Sequence, residues 1–427
     1  MKSGVVLRRI AWNRHSDQSV KPIKQKLIKQ KIRSLLLLAL GLIMALVAHW
    51  PSIAVAQSTP AISDLPPRAE LRGVWLTNVD SDVLFSRRNL EDGIAQLKRL
   101  NFNTVYPTVW NGGYTLYPSE VAEKSFGAAI DPIPELEGRD MLAEAIEIGH
   151  EQGLAVIPWY EFGLMAMEDS EIAQQHPEWI MARQDGSQIF VQGDRGQYHF
   201  VWLNPAHPEV QELMTDLMVE VVDKYDIDGI QFDDHFGTPV ELGYDDYTVN
   251  LYKQQHNGNA PPDNPRDPDW MRWRARNVTT MMVKIFSAIK TRRPDCLISL
   301  SPNPKQFSYE NYLQDWAPWV RLGFLDELII QVYRSDINGF QAELDRPELR
   351  TIRNQVPTSI GILTGLRVLN VETALVEEKV RMTRDREFAG FSFFFYGTLN
   401  NHREPVLQSL LPQPATRPSP RRVATRS

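Results

Sequence analysis

Residues 225–236 read Tyr-Asp-Ile-Asp-Gly-Ile-Gln-Phe-Asp-Asp-His-Phe, an apolar strand pattern that ends in two adjacent carboxylates, Asp233 and Asp234, and then His235. Inside a covered parallel strand an ionised carboxylate is costly unless paired, so this pair belongs at the strand's open end. Carboxylates there are placed for acid–base or nucleophilic work. Cleavage of a glycosidic bond needs two of them, one ionised as nucleophile or base and one protonated as acid. Successive strand residues face opposite sides, so Asp233 and Asp234 need not be that pair. One of them then orients the other or binds a sugar hydroxyl. The second carboxyl must then come from another strand. Glu161 is the best candidate, because it follows Trp159 and Tyr160, rings that exclude water and raise a carboxyl's pKa. Glu327 and Asp326 lie near the start of their strand, on the wrong barrel face. A loop acid such as Glu120 or Glu241 is the other option.

His235 reads as a substrate contact beside the aspartates. His150, His176, His199 and His207 stand at no short ligand spacing from it, and a metal site needs several ligands with supporting partners. No metal or other cofactor is expected.

Polar and aromatic residues recur where other strands should end. Trp75 and Asn78 close the first, Tyr106 and Trp110 the second, and Trp159, Tyr160 and Glu161 the third. Gln231 precedes Asp233 in the fourth, Asn303 closes the fifth, Gln331 and Tyr333 the sixth, and Tyr396 the eighth. Trp202 and Asn204 sit just before the helix that leads into the fourth strand. A polyhydroxylated ligand needs many directional donors and acceptors, with flat rings for its apolar faces. These residues are therefore expected to bind a glycan.

The elements that must position them alternate. Strands are expected near 71–79, 103–110, 154–161, 227–234, 296–303, 325–333, 358–364 and 389–396. Helices are expected near 89–100, 139–152, 208–224, 269–291, 309–321, 338–346, 372–384 and 403–410. The helix at 208–224, for example, repeats Val210, Leu213, Leu217 and Val221 at helical spacing. Eight such units predict an α/β fold, a (β/α)8 TIM barrel. The segments 111–138, 162–207 and 235–268 exceed ordinary connections and are expected to be irregular walls of a cleft.

The chain has 427 residues, 43% of them hydrophobic, enough for one large core. Its single cysteine, Cys296, lies in an apolar run, reads as a small buried hydrophobe and excludes an internal disulfide. Ten Lys or Arg and one Asp precede Leu35; the apolar run 35–48 and Ala54-Val55-Ala56 follow. This pattern is a targeting segment over 1–56, with cleavage near Gln57 or retention as an anchor as the two outcomes. Without those charges the 46 basic and 53 acidic residues become 36 and 52, a net charge of −16. Nucleic acid is an unfavourable partner for such a surface. The expected organisation is a linker over 57–68, the barrel over 69–410 and a disordered Pro-, Ser- and Arg-rich tail over 411–427. An exported protein, periplasmic, envelope-associated or secreted, follows; the oligomeric state is open.

Over residues 69–410 the segments Arg72-Gly73-Val74-Trp75-Leu76-Thr77, His176-Pro177-Glu178-Trp179, 203–210, 228–234 and Gln331-Val332-Tyr333 resemble the bacterial glycosyl hydrolase-like family 10 proteins. The resemblance implies an exported TIM-barrel glycosidase, with some members associated with the cell envelope and peptidoglycan. The run Gly229-Ile230-Gln231-Phe232-Asp233 is also similar to the fourth-strand Gly-x-Arg-x-Asp of α-amylase-type barrels, which favours Asp233 as nucleophile but puts Gln231 where those enzymes have Arg. Two other readings stay open at this point: a non-catalytic saccharide-binding barrel and a metal-dependent amidohydrolase-like barrel.

Overall fold

The computed structural model describes residues 69–192, 196–367, 369–399 and 402–419. The expected targeting segment, the linker and residues 420–427 lie outside these. Eight parallel strands form one sheet: β1 (Leu71–Leu76), β2 (Thr104–Pro107), β3 (Ala155–Val156 and Trp159–Tyr160), β4 (Gly229–Asp233), β5 (Leu297–Ser301), β6 (Glu327–Gln331), β7 (Thr358–Leu363) and β8 (Gly390–Phe394). β1 lies between β2 and β8, and β7, β6, β5 and β4 follow in order. The first half of β3 pairs with β2 and the second with β4, which closes the sheet into a barrel. Pro158 separates the halves and has no N–H to give. Its carbonyl still accepts from Gln231 N at 2.8 Å, and Ile157 N donates to Val105 O at 3.0 Å, so the ladder runs on through the break.

The period-two rule sorts the side chains. Val74, Leu76, Val105, Ile230, Phe232, Ile298 and Leu300 join the apolar shell beneath the helices. Trp75, Tyr106, Trp159, Ile329, Leu363 and Phe394 fill the barrel's interior. Trp75 sits at the centre of that layer, with ring centroids of Tyr106, Trp159 and Phe394 at 5.8, 5.9 and 6.2 Å. Cys296 is buried, as its apolar run predicts.

Helices follow each strand. Arg87–Arg99 starts at Ser86, whose hydroxyl accepts from Asn89 N, and buries Leu90, Ile94 and Leu97. Pro208–Lys224 and Pro268–Arg292 each open with proline in the first turn, where a missing N–H does no harm. The helix expected over 309–321 is instead two, Lys305–Tyr312 and Trp316–Arg321, because Leu313 takes a left-handed φ of 54° between them. The one expected over 338–346 ends at Leu344, and a further helix begins at Pro347. Among the described residues no helix is long and apolar enough to cross a membrane.

The long connections are more ordered than expected. Segment 162–207 holds a three-stranded antiparallel sheet of Met165–Met167, Tyr198–Trp202 and Phe190–Gln192. Segment 111–138 carries a short hairpin and the helix Glu120–Phe126.

The largest departure is at the C-terminus. Residues 411–419, expected as part of a solvated tail, run under the barrel's N-terminal end. Thr416 bridges Ala69, Asn101 Nδ2 and Asn103 Nδ2 donate to the carbonyls of Leu411 and Ala415 at 2.7 and 3.1 Å, and an Arg72 guanidinium N–H donates to Gln413 O at 2.6 Å. Backbone carbonyls, which composition does not reveal, fix this strap to the floor.

Candidate active site

β4 carries the chemistry to the barrel's C-terminal rim. It packs tightly on β5: a Cβ at Gly229 would meet Leu297 at 2.7 Å. Asp233, the last residue of the strand, is 2% exposed. One carboxylate oxygen, Oδ2, accepts from the Trp159 indole N–H at 2.7 Å and the Ser301 hydroxyl at 3.3 Å, and the other accepts from Asp234 N at 2.6 Å. Gln314 Nε2 fixes the backbone around it, donating to the carbonyls of Asp233 and Phe236 at 2.8 and 3.1 Å.

Asp234 keeps 15% of its side chain open. Asn303 Nδ2 donates to it at 2.5 Å. Gln331 Nε2 stands 3.2 Å from Asp234 Oδ1 and 3.4 Å from both oxygens of Asp233, so one amide holds the two carboxyls together. His235 completes the group: its Nδ1 is 3.1 Å from Glu161 O and 3.3 Å from Asp233 Oδ1. Asp233, Asp234 and His235 bring one ligand-type atom each to within 4.8 Å of one another, close enough to share a cation. Those atoms already have protein partners, however, and the same geometry suits carboxyls sharing a proton.

Glu161 follows the second half of β3 and is 5% exposed. Its carboxylate accepts from the Thr77 hydroxyl at 2.9 Å, the Thr108 hydroxyl at 2.9 Å and Asn111 Nδ2 at 3.1 Å. Asn111 Nδ2 also donates to Asn78 Oδ1 at 2.9 Å. Donors from the connections after β1 and β2 thus converge on one acid at the end of β3.

The electrostatics separate the adjacent aspartates. Burial first, and then the charge of Asp234, hold Asp233 well above the usual carboxylate range. Burial works against Asp234 as well, but His235 and hydrogen bonds from Asp233, Gln331 and Asn303 bring it below its ordinary value. Burial pushes Glu161 up to about 6 against its three donors. Burial and mutual charge thus favour the neutral form of Asp233 beside the ionised form of Asp234.

A paired-carboxyl rim on a closed (β/α)8 barrel has relatives. The model for the family described as glycosyl hydrolase-like 10 matches residues 70–383. The chain belongs to that family. Glycosyl hydrolase DigH of Escherichia coli K12 is 25% identical over 356 residues, covering 70% of this chain and 75% of that protein. Glycosyl hydrolase YngK of Bacillus subtilis is 24% identical, covering 67% of this chain and 58% of its own length. Among solved structures, the glycoside hydrolase domain of PgaB (BpsB) from Bordetella bronchiseptica superposes with a TM-score of 0.61 at 12% identity, over 80% of this chain and 99% of that domain. α-L-Fucosidase isoenzyme 2 from Paenibacillus thiaminolyticus follows with 0.58 at 16% identity, over 80% and 49%. These two likenesses bear on the fold. As a member of the glycosyl hydrolase-like 10 family, the protein is a glycosidase.

Within this family member the residues picked out from sequence fall into two groups. Asp233, Asp234, His235, Glu161, Trp159, Asn303 and Gln331 converge at one end of the barrel, with Asn78 beside them through Asn111. Tyr333 belongs there too: its hydroxyl pKa is driven up by burial and then by the charges of Asp233, Asp234 and Glu161. The others are engaged elsewhere. Trp75, Tyr106 and Gln231 are sealed in the interior, where Trp75 Nε1 donates to Gln231 Oε1 and the Tyr106 hydroxyl to Glu327. Trp110 donates to Gly163 O, and Tyr160 to Leu217 O under a helix. Trp202 packs on Phe190, Asn204 Nδ2 donates to Asp245 and Thr248, and Tyr396 donates to Gln96. Rings and amides at strand ends look alike in sequence whether they face a ligand or the next packing layer. Thr77, Thr108, Asn111, Ser301 and Gln314 escaped notice. Counting by twos from Trp75 and Tyr106 points to Thr77 and Thr108, and counting back by two from Asn303 points to Ser301.

Proposed function

We propose that this protein is an exported glycoside hydrolase that cleaves an oligo- or polysaccharide, a cell-envelope glycan, by paired-carboxylate chemistry at the β4 rim. One observation carries the reading: adjacent carboxyls are held together by one Gln331 amide, with Asp233 2% exposed and Asp234 open over 15% of its side chain. Asp234, the more open of the two, is the ionised group that meets the developing positive charge of the sugar. Asp233 holds the proton, oriented by Trp159 and Ser301. Glu161 adds a like charge behind them, which helps keep that proton in place. This reading differs from the roles expected from sequence, where Asp233 was the ionised group and Glu161 the donor. The physical reason is burial: the deeper carboxyl gains most by staying neutral.

Export is supported by the basic stretch before Leu35, the apolar run after it and Ala54-Val55-Ala56. A glycan rather than a nucleic acid partner is supported by the acidic balance of the remaining chain. The test is turnover of envelope glycans, with products identified by mass, by the native protein and by Asp233→Asn and Asp234→Asn variants. Loss of products in both variants, with folding retained, supports the pair; normal products from either rejects it. N-terminal sequencing of the envelope fraction tests export, and an intact Met1 on soluble cytoplasmic protein rejects it.

A further inference from the structure

The barrel floor holds an acid that the chemistry above does not use. Glu327 opens β6 and is 5% exposed. It accepts from the Tyr106 hydroxyl at 2.9 Å and the Ser299 hydroxyl at 2.8 Å, and its other oxygen is paired with Arg417 from the C-terminal strap. Arg417 reaches inward to this acid: its side chain is 16% exposed, although both neighbours in sequence face outward or half outward. It lies outside the residues that match the family.

From Glu327 a chain of donors rises along the barrel axis. Ser299 Oγ, which donates to Glu327, accepts from Gln231 Nε2 at 2.9 Å. Gln231 Oε1 accepts from Trp75 Nε1 at 2.7 Å. The Trp75 ring then lies against Trp159, at 5.9 Å between centroids, and Trp159 Nε1 donates to Asp233 Oδ2 at 2.7 Å. A second route is shorter: the Tyr106 hydroxyl binds Glu327 while its ring contacts Trp75. Each step of the column is thus a hydrogen bond or a ring contact. A close-packed interior transmits a displacement of any member rather than absorbing it.

We propose that Arg417 is a positioning residue for catalysis: by fixing Glu327 at the floor it holds the column Ser299–Gln231–Trp75 in register, and so sets Trp159 against the Asp233 carboxyl. The C-terminal strap is thus part of the working enzyme. This rests on the reading of Asp233 as a catalytic carboxyl, but its geometry can be tested without a substrate. Without Arg417, Glu327 keeps a buried charge with no cation or takes up a proton. In either state the acceptor that orients Ser299 changes, and the change passes upward.

The experiment compares the full chain with Arg417→Met, Arg417→Lys and Arg417→Met/Glu327→Gln variants. The indole N–H resonances of Trp75 and Trp159 are followed by NMR, assigned through Trp75→Phe and Trp159→Phe. Arg417→Met should displace both signals and speed their exchange with deuterium, and Arg417→Lys should largely restore them. The double variant removes both floor charges, leaves a neutral amide oxygen at position 327 to accept from Ser299, and should return both signals toward their native positions. It also serves if Arg417→Met alone does not fold. On a glycan that the native protein cleaves, Arg417→Met should lower kcat by about tenfold or more with KM within about twofold, because misplacement by a fraction of an ångström acts on the reacting geometry rather than on binding. A folded Arg417→Met protein whose Trp159 signal stays in place overturns the proposal, as does a folded double variant in which both signals remain displaced. Displaced signals with no turnover by the native protein would instead count against the glycosidase mechanism and leave the column intact.

Discussion

Asp234→Asn keeps the side chain's size and removes its charge. One oxygen of Asp234 lies within 4.8 Å of one of Asp233. At an effective dielectric constant of about 20, unit charges that far apart interact by about 3.5 kcal/mol. That repulsion keeps the second proton from leaving the pair. The same magnitude, with its sign reversed, is what Asp234 offers a positive charge developing on a sugar ring held at similar distance, a factor of about 350 in rate. The variant's kcat/KM should therefore fall by about two to three orders of magnitude. Initial rates on a glycan that the native protein cleaves give this number, with melting temperature and direct glycan binding read in parallel. The pH dependence carries a second signature. Asp234's charge raises the pKa of Asp233, so removing it lowers that pKa, and the residual activity should disappear at lower pH than in the native protein. An Asp234→Asn protein that turns over within about threefold of native, with an unmoved pH profile, would refute both the charge assignment and the shared proton.

Glu161, raised from 4.5 to about 6, binds its proton more tightly folded than unfolded. Ionising it costs about 2 kcal/mol of stability, absent below pH ~4.5 and fully felt above pH ~6. Urea denaturation across that window should show a fall in native stability that Glu161→Gln lacks, and equal slopes would contradict this. Gly163 has φ +48°, and an added Cβ would sit 2.5 Å from the backbone of His235. Gly163→Ala should destabilise by about 1–3 kcal/mol and impair activity by moving His235, whereas unchanged melting and rates would exclude the contact. Trp159→Phe keeps a ring but removes the donor 2.7 Å from Asp233 Oδ2. A loss of about 1–3 kcal/mol in stability with a lower kcat is expected, and a neutral outcome in both measurements would show that the indole N–H is dispensable.

Much of the barrel was legible because its signals are local. The run from Tyr225 to His235 shows an apolar strand ending in acids, and Val210, Leu213, Leu217 and Val221 show the helix packed before it. The acids at the rim followed from the cost of burying charge. What escaped notice depends on three-dimensional neighbours. Trp75 and Tyr106 are chemically good sugar contacts, yet each stands one packing layer below the rim, a depth that strand-end position does not encode. Thr77, Thr108 and Asn111 look ordinary singly and acquire a role only because the connections after β1 and β2 bring them to Glu161. Pro158 interrupts a strand in sequence without interrupting its ladder. Leu411 to Ser419 has the composition of a tail, and its order comes from Asn101, Asn103 and Arg72, more than 300 residues away in sequence.

The bridge between Ala69 and Thr416 also fixes how the molecule can be presented to large substrates. Both ends of the barrel chain leave from beneath, at the pole opposite Asp234. A label or solid support joined directly at Ala69 or Ser419 therefore meets the underside, and the mouth points away from the attachment. A polymer too large to diffuse, such as a strand fixed in a wall, can then reach the mouth of an immobilised molecule. The same tethering at the 235–268 connection would place the support against the cleft.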